Sequence, residues 1–200
     1  LHHRYRCPDP TPEFNFRKIC APLLQKIKKE KYQNIITFGI GGSYEGPKLL
    51  QEFLLNPASD INYSFVSGPD KHEFNAIVKP LLGQKNLYIF ASKSLVTEET
   101  LSCLKWLGKN RTDKNSIVIT ANSEGARALG FADSLIVPFP ESVGGRYSIW
   151  SPISLTASIE NNFMGFLQGG GLADSLISGS SLNAKKYQKL IKTLAFSDIW

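Results

Sequence analysis

The sequence predicts an α/β fold: a three-layer, doubly wound sheet of five parallel strands in the order 2-1-3-4-5, with flanking helices. Two observations lead there. Five short apolar runs, at 35–40, 63–66, 87–91, 117–120 and 135–139, alternate with four helical patterns, at 46–55, 70–82, 97–108 and 123–130. Short apolar strands alternating with helices build a parallel sheet covered on both faces. The first run also empties into a glycine turn ahead of a helical stretch, Gly39-Ile40-Gly41-Gly42-Ser43, the layout of an anion site in such folds.

Composition sets the outer limits. Two hundred residues with 42% hydrophobic content suffice for one generous domain with its own core. The net charge of +6 is spread over helix faces such as Lys26, Lys28, Lys29 and Lys31, and Lys185, Lys186, Lys189 and Lys192. No basic run is interleaved with aromatics, so no nucleic-acid partner is expected. No apolar run approaches a membrane span of ~20 residues, so no membrane partner is expected either. Three cysteines, Cys7, Cys20 and Cys103, without CxxC spacing argue against a disulfide framework or a structural zinc, and point to a reduced, cytoplasmic compartment. The chain opens on Leu1, holds a single methionine at Met164 and stops at Trp200 within an apolar helical pattern, which leads us to expect a piece of a longer protein.

The organisation expected is a lead-in and helix over 1–33, the α/β unit over 34–150, and a helical segment over 151–200 leading toward a second domain. Residues 1–11 read as an extended lead-in, and His2-His3 carries no function there. Apolar residues Phe16, Ile19, Cys20, Leu23, Leu24 and Ile27 predict a helix from about 14 to 31, kinked or broken at Pro22. The glycine turn follows strand 1. It resembles a dinucleotide loop until Tyr44, which stands where a third glycine would admit close helix–strand packing. It also fails as a P-loop, because Pro47 takes the lysine position and Lys48 comes one residue late. What remains is an anion-binding turn, or simply a strand-to-helix turn with Ser43 as N-cap, worth about 1 kcal/mol.

Strand 3 runs into Ser92-Lys93-Ser94-Leu95-Val96-Thr97-Glu98-Glu99-Thr100. Three hydroxyls and a cation at a helix start suit a phosphate dianion. Capping by Ser94 or Thr97, with Glu98 and Glu99 in the first turn, explains the rest of the stretch but leaves Lys93 without a reason, since a cation is unfavourable there unless an anion is near. With the order 2-1-3-4-5, the turns after strands 1 and 3 flank the switch point and face one crevice. After strand 5, Val143-Gly144-Gly145-Arg146-Tyr147-Ser148-Ile149-Trp150-Ser151 sets an arginine on a bent backbone. Either it pairs with a surface carboxylate, or its permanent charge is aimed at a developing oxyanion. Helices are expected at 151–166, 172–177 and 185–196, parted by Gly169-Gly170-Gly171 and by Ser178-Gly179-Ser180-Ser181.

Taken together, the three motifs resemble the glucose-6-phosphate isomerase family: residues 143–151 match its signature, Gly39 to Ser43 with Gly46-Pro47 its first glycine turn, and Ser92-Lys93-Ser94 with Thr97 and Glu99-Thr100 its phosphate loop. The resemblance implies a sugar-isomerase (SIS) domain and interconversion of glucose 6-phosphate and fructose 6-phosphate through a cis-enediol. By this resemblance Ser92, Lys93, Ser94 and Thr97 would hold the phosphate, Gly42 and Ser43 would line the sugar pocket, and Arg146 would stabilise the enediol charge. It implies a sugar-phosphate substrate, no metal or organic cofactor, and a homodimer of the complete protein. Ser94 and Leu95-Val96 depart from the family's usual threonine and Phe-Thr, and Tyr44-Glu45 from its small residue and leucine. The family's proton-transfer glutamate, ring-opening histidine and late lysine would lie in a second SIS domain, and His72 matches none of them. A single SIS domain that senses sugar phosphate without chemistry is the alternative; the Arg146 motif favours the isomerase.

Overall fold

The computed structural model describes residues 2–6, 10–54, 56–160 and 162–178. Helix α1 (Phe16–Glu30) precedes strand β1 (Asn34–Gly39). There follow α2 (Glu45–Phe53), β2 (Asn62–Val66), α3 (Lys71–Val78), β3 (Asn86–Ala91), α4 (Glu98–Leu107), β4 (Ser116–Thr120), α5 (Ser123–Ala128), β5 (Ile136–Pro138) and α6 (Phe163–Ser178). The strands form one parallel sheet in the order β2-β1-β3-β4-β5. The predicted architecture and strand order are therefore those observed.

Because successive strand residues point to opposite faces, the sheet builds two cores. Ile35, Leu87, Ile89, Ile117, Ile119 and Val137 pack with α1, with Leu50 of α2 and with Ile153 to Leu167. Ile36, Phe38, Val66, Tyr88, Phe90 and Val118 pack with α3, α4 and α5, and Phe38 stacks on Phe90 with ring centroids 4.8 Å apart. Cys20 lies in the first core and Cys103 in the second, both as free thiols. Burial raises both pKa values, that of Cys103 to about 12, so neither thiol is a ready nucleophile.

Three neighbouring strands open one residue earlier than their apolar runs, each on an asparagine. Asn34 pairs in register with Asn62 on one side and Asn86 on the other. Asn34 Nδ2 donates to Asn86 Oδ1 (2.8 Å) and Gln84 Oε1 (2.9 Å), and Asn62 Nδ2 donates to Asn34 Oδ1 (3.3 Å). Polarity hides these residues from a hydrophobicity pattern. Their side-chain bonds let Asn34 and Asn86 be buried all the same, with Asn62 exposed at the sheet edge.

The flanking helices depart from expectation in three places. Helix α1 runs unbroken through Pro22; the proline removes only the bond to the Lys18 carbonyl, while the face of Phe16, Cys20, Leu23 and Ile27 stays buried. The helix expected at 151–166 is instead two short 3-10 turns, Pro152–Ser154 and Thr156–Ser158, before α6. Every residue from 151 to 159 is buried, so its apolar character carries no helical periodicity. Ser151 and Ser158 hydroxyls donate to carbonyls three residues back, at 2.6 Å each, and satisfy the tight backbone. Asn162 Oδ1 then accepts from Gly165 N–H (2.9 Å) at the start of α6.

The third departure is the glycine run, which lies inside α6 rather than ending it. A Cβ on Gly170 would lie 2.6 Å from the Trp150 ring, and one on Gly171 would lie 2.6 Å from the Arg6 carbonyl. The glycines admit the 2–6 turn against the helix. There Arg6 makes a two-point bond to Asp174 (2.7 and 2.8 Å) and lies 4.4 Å over the Trp150 ring, which in turn stacks on Phe166. The helix expected at 185–196, the 178–181 joint beyond Ser178, and Cys7 lie outside the described residues.

One buried polar bond ties the 152–158 segment to the sheet: Thr37 Oγ1 of β1 meets Thr156 Oγ1 at 2.7 Å. Thr37→Val should destabilise the protein by about 1–3 kcal/mol, because it strands the partner hydroxyl in the core. The double change with Thr156→Val should recover part of that loss. Denaturant unfolding of the two single variants and the double variant measures both effects.

Candidate functional site

The turn after β1 is built by close backbone approach. Residues Gly41–Ser43 form a 3-10 turn in which Gly41 takes a positive φ of 54°. A Cβ on Gly42 would overlap the Gly145 carbonyl. Gly42 therefore allows the loop carrying Arg146, a 3-10 run over Gly145–Trp150, to lie directly on the first turn. Ser148 locks the two together: its Oγ is 2.6 Å from the Gly145 carbonyl and 3.3 Å from that of Gly42. Ile149 packs 3.5 Å from the Cβ position of Gly46.

The N-cap role open to Ser43 is not the one it has. Tyr44 occupies the cap position of α2, with no side-chain capping bond. Lys48 donates from Nζ to Tyr44 Oη (3.1 Å), a bond that raises the lysine pKa. It thus belongs to the surface of α2 and not to the turn.

The phosphate-loop candidate leaves the neighbouring strand at the same level, since Gly39 pairs in register with Ala91. Its members divide. Ser92 is buried, and its Oγ accepts from Leu95 N–H (3.1 Å) and lies 3.3 Å from Thr97 Oγ1. Thr97 sits at the cap position of α4 without a capping bond from its side chain. Leu95 has a positive φ of 53°, a conformation rare for a side-chain-bearing residue, and its side chain is buried in the second core. Ser94 is exposed and Lys93 half-buried. Together with Ala121, Asn122 and Glu141 they line a cavity of about 460 Å³ at the carboxyl ends of β3 and β4.

Two cations sit where no local structural partner explains them. Among the described residues neither Lys93 nor Arg146 forms an ion pair, so the surface-carboxylate reading of Arg146 is not what the structure shows. The structure brings Gly42, Ser43 and the Arg146 loop into one cluster, and places Ser92, Lys93, Ser94 and Thr97 on the adjacent strand end. Sequence reasoning missed Ser148, which joins the two glycine backbones, and Thr120 and Asn122, which bond the 92–97 loop from the end of β4. Ser148 was visible only as part of a motif; for Asn122 the available signal was its place just before the helical pattern at 123–130. Among the described residues no cluster of acidic, histidine and cysteine side chains suits a metal ion, and no helix is long and apolar enough to cross a membrane.

The Gly42 contact is directly testable. Gly42→Ala should force the two turns apart and cost about 1–3 kcal/mol. Hydrogen exchange should show faster exchange across 145–150 than in the parent, with the amides of β4 unchanged.

Comparison with known proteins places this geometry. A family model described as Phosphoglucose isomerase matches residues 24–200. A glucose-6-phosphate isomerase of Zymomonas mobilis is 35% identical over 152 residues, covering 71% of this chain and 30% of that protein. One from Shewanella sediminis is 33% identical over 168 residues, covering 77% and 31%. The chain thus spans about a third of the length of the curated relatives it matches. Among solved structures, a glucose-6-phosphate isomerase from Chlamydia trachomatis superposes with a TM-score of 0.73 at 20% identity, covering 88% of this chain and 38% of that one. A hypothetical protein from Thermus thermophilus gives 0.64 at 22% identity, covering 88% and 47%. At those identities the structural likeness shows a shared fold, and the matched family model shows more: the chain belongs to the phosphoglucose isomerase family.

Proposed function

We propose that this chain is the substrate-holding portion of a glucose-6-phosphate isomerase, interconverting glucose 6-phosphate and fructose 6-phosphate through a cis-enediol. The observation that carries the proposal is the seating of the Arg146 loop on the Gly41–Ser43 turn, beside a lysine- and hydroxyl-bearing loop on the next strand. Lys93, Ser94 and Thr97 offer a cation and two hydroxyls to the phosphate, and Ser92 shapes the loop that presents them. Gly42 and Ser43 form the wall along which the sugar lies. Arg146 faces the reacting carbons.

The chemistry assigned to these groups is electrostatic. Moving a proton between C1 and C2 places negative charge on the enediol oxygens. A guanidinium that stays protonated throughout stabilises that charge without itself exchanging a proton. The base that moves the proton belongs, on this reading, to the part of the family's length that the chain does not span. The same reading places the complete protein in the cytoplasm as a homodimer, with a sugar phosphate as its only small-molecule partner.

Two measurements on the complete protein test the assignment. Lys93→Ala removes a charged donor from the phosphate and should weaken glucose 6-phosphate binding by about 1.5–3 kcal/mol in calorimetry; unchanged affinity refutes the phosphate grip. Arg146→Ala should lower kcat by about 10²–10³ with KM little changed, as loss of a transition-state donor does. A defect confined to KM counts against the enediol role.

A further inference from the structure

The loop over 92–97 is held from β4 as firmly as from within. Ser92 N–H donates to the Ile119 carbonyl (3.0 Å). The Lys93 carbonyl accepts twice, from Thr120 Oγ1 (3.0 Å) and Ala121 N–H (2.9 Å). The Ser94 carbonyl accepts from Asn122 Nδ2 (3.0 Å). Asn122 is itself fixed: its N–H donates to Thr120 Oγ1 (3.0 Å), and its Oδ1 accepts from Gly125 N–H (2.8 Å) as the cap of α5. The cap bond decides which end of the amide faces Ser94.

A planar peptide points its carbonyl and its N–H in opposite directions. Drawing the Lys93 carbonyl toward Thr120 and Ala121 turns the Ser94 N–H away from β4. Drawing the Ser94 carbonyl toward Asn122 helps hold the next residue, Leu95, in its left-handed conformation. Of the N–H groups around that residue, Leu95's donates to Ser92 Oγ (3.1 Å) and Val96's to Ser94 Oγ (3.5 Å), so the Ser94 N–H is the one left for an anion. A helix cap needs only Oδ1; the bond from Nδ2 to the neighbouring loop lies outside that role.

We propose that Asn122 is a positioning residue of the sugar-phosphate site, whose Nδ2 holds the Lys93–Ser94–Leu95 backbone in its phosphate-receiving conformation. The inference rests on the reading of 92–97 as the phosphate grip. Asn122 does not touch the phosphate. It acts through the Ser94 carbonyl.

Two substitutions in the full chain separate this role from capping. Asn122→Ser removes the donor without adding charge, and Asn122→Asp removes it while keeping an equal cap. Binding of glucose 6-phosphate and of inorganic phosphate is measured by calorimetry, Tm is recorded for each variant, and Lys93→Ala is run alongside. The proposal expects both Asn122 variants to weaken both ligands by about five- to tenfold, with Tm unchanged in Asn122→Asp. Parent-like affinity in Asn122→Ser, with Lys93→Ala weakened, overturns the inference and leaves the phosphate grip standing. Loss of affinity in Asn122→Ser that tracks a fall in Tm, with parent-like affinity in Asn122→Asp, assigns Asn122 to capping alone and overturns it too. Parent-like affinity in Lys93→Ala overturns the phosphate grip and this inference with it.

Discussion

Two backbones meet where Gly42 lies against the Gly145 carbonyl, and the arrangement of the candidate site depends on that meeting. No side chain fits between them. Because the approach is main chain to main chain, it sets the height of the Arg146 loop above the sheet more sharply than packed side chains would. Ser148 then converts proximity into a fixed relation by reaching both carbonyls. On the proposed function Arg146 depends on such support, since electrostatic stabilisation is effective when the donor is in place beforehand and water need not reorganise.

The sheet supplies the second half of the arrangement. In a parallel sheet every strand delivers its following loop to the same edge, and the reversal of order between β1 and β3 opens a gap between those loops. The asparagine ladder at the opposite edge fixes the register of β1, β2 and β3. A slip of one residue there would exchange the two cores and displace the 92–97 loop from the glycine turn. Register at one end of the sheet and chemistry at the other are thus a single constraint.

Much of this was legible in the sequence, for reasons that differ by element. Strands buried on both faces announce themselves as apolar runs, so their number, position and parallel arrangement could be read directly. The loops bearing Gly42, Lys93 and Arg146 drew attention by their glycines and by cations at positions that capping does not explain, but that Gly42 serves close packing on Gly145 could not be read from the sequence. Three features escaped, each because a residue's local and distant roles look alike in a sequence. Ser151 to Ser158 is apolar enough to resemble a helix, yet it is buried on all sides. Ser43 has the chemistry of an N-cap, but the chain turns one residue later. Asn122 caps a helix, and its bond to the neighbouring loop has no signature in the sequence.

The glycines of α6 carry a consequence for the order in which the chain assembles. Gly169, Gly170 and Gly171 weaken an isolated helix by about 1 kcal/mol each relative to alanine, so α6 is not self-supporting. Besides the core contacts of Phe163 and Leu167, its formation is rewarded by Arg6, 168 residues earlier in the chain. Closing so long a span is entropically slow until the intervening elements have shortened it. We therefore expect the sheet to form first and the N-terminal arm and α6 to consolidate together as a late latch across it. In a growing polypeptide this step has to wait until α6 has been made.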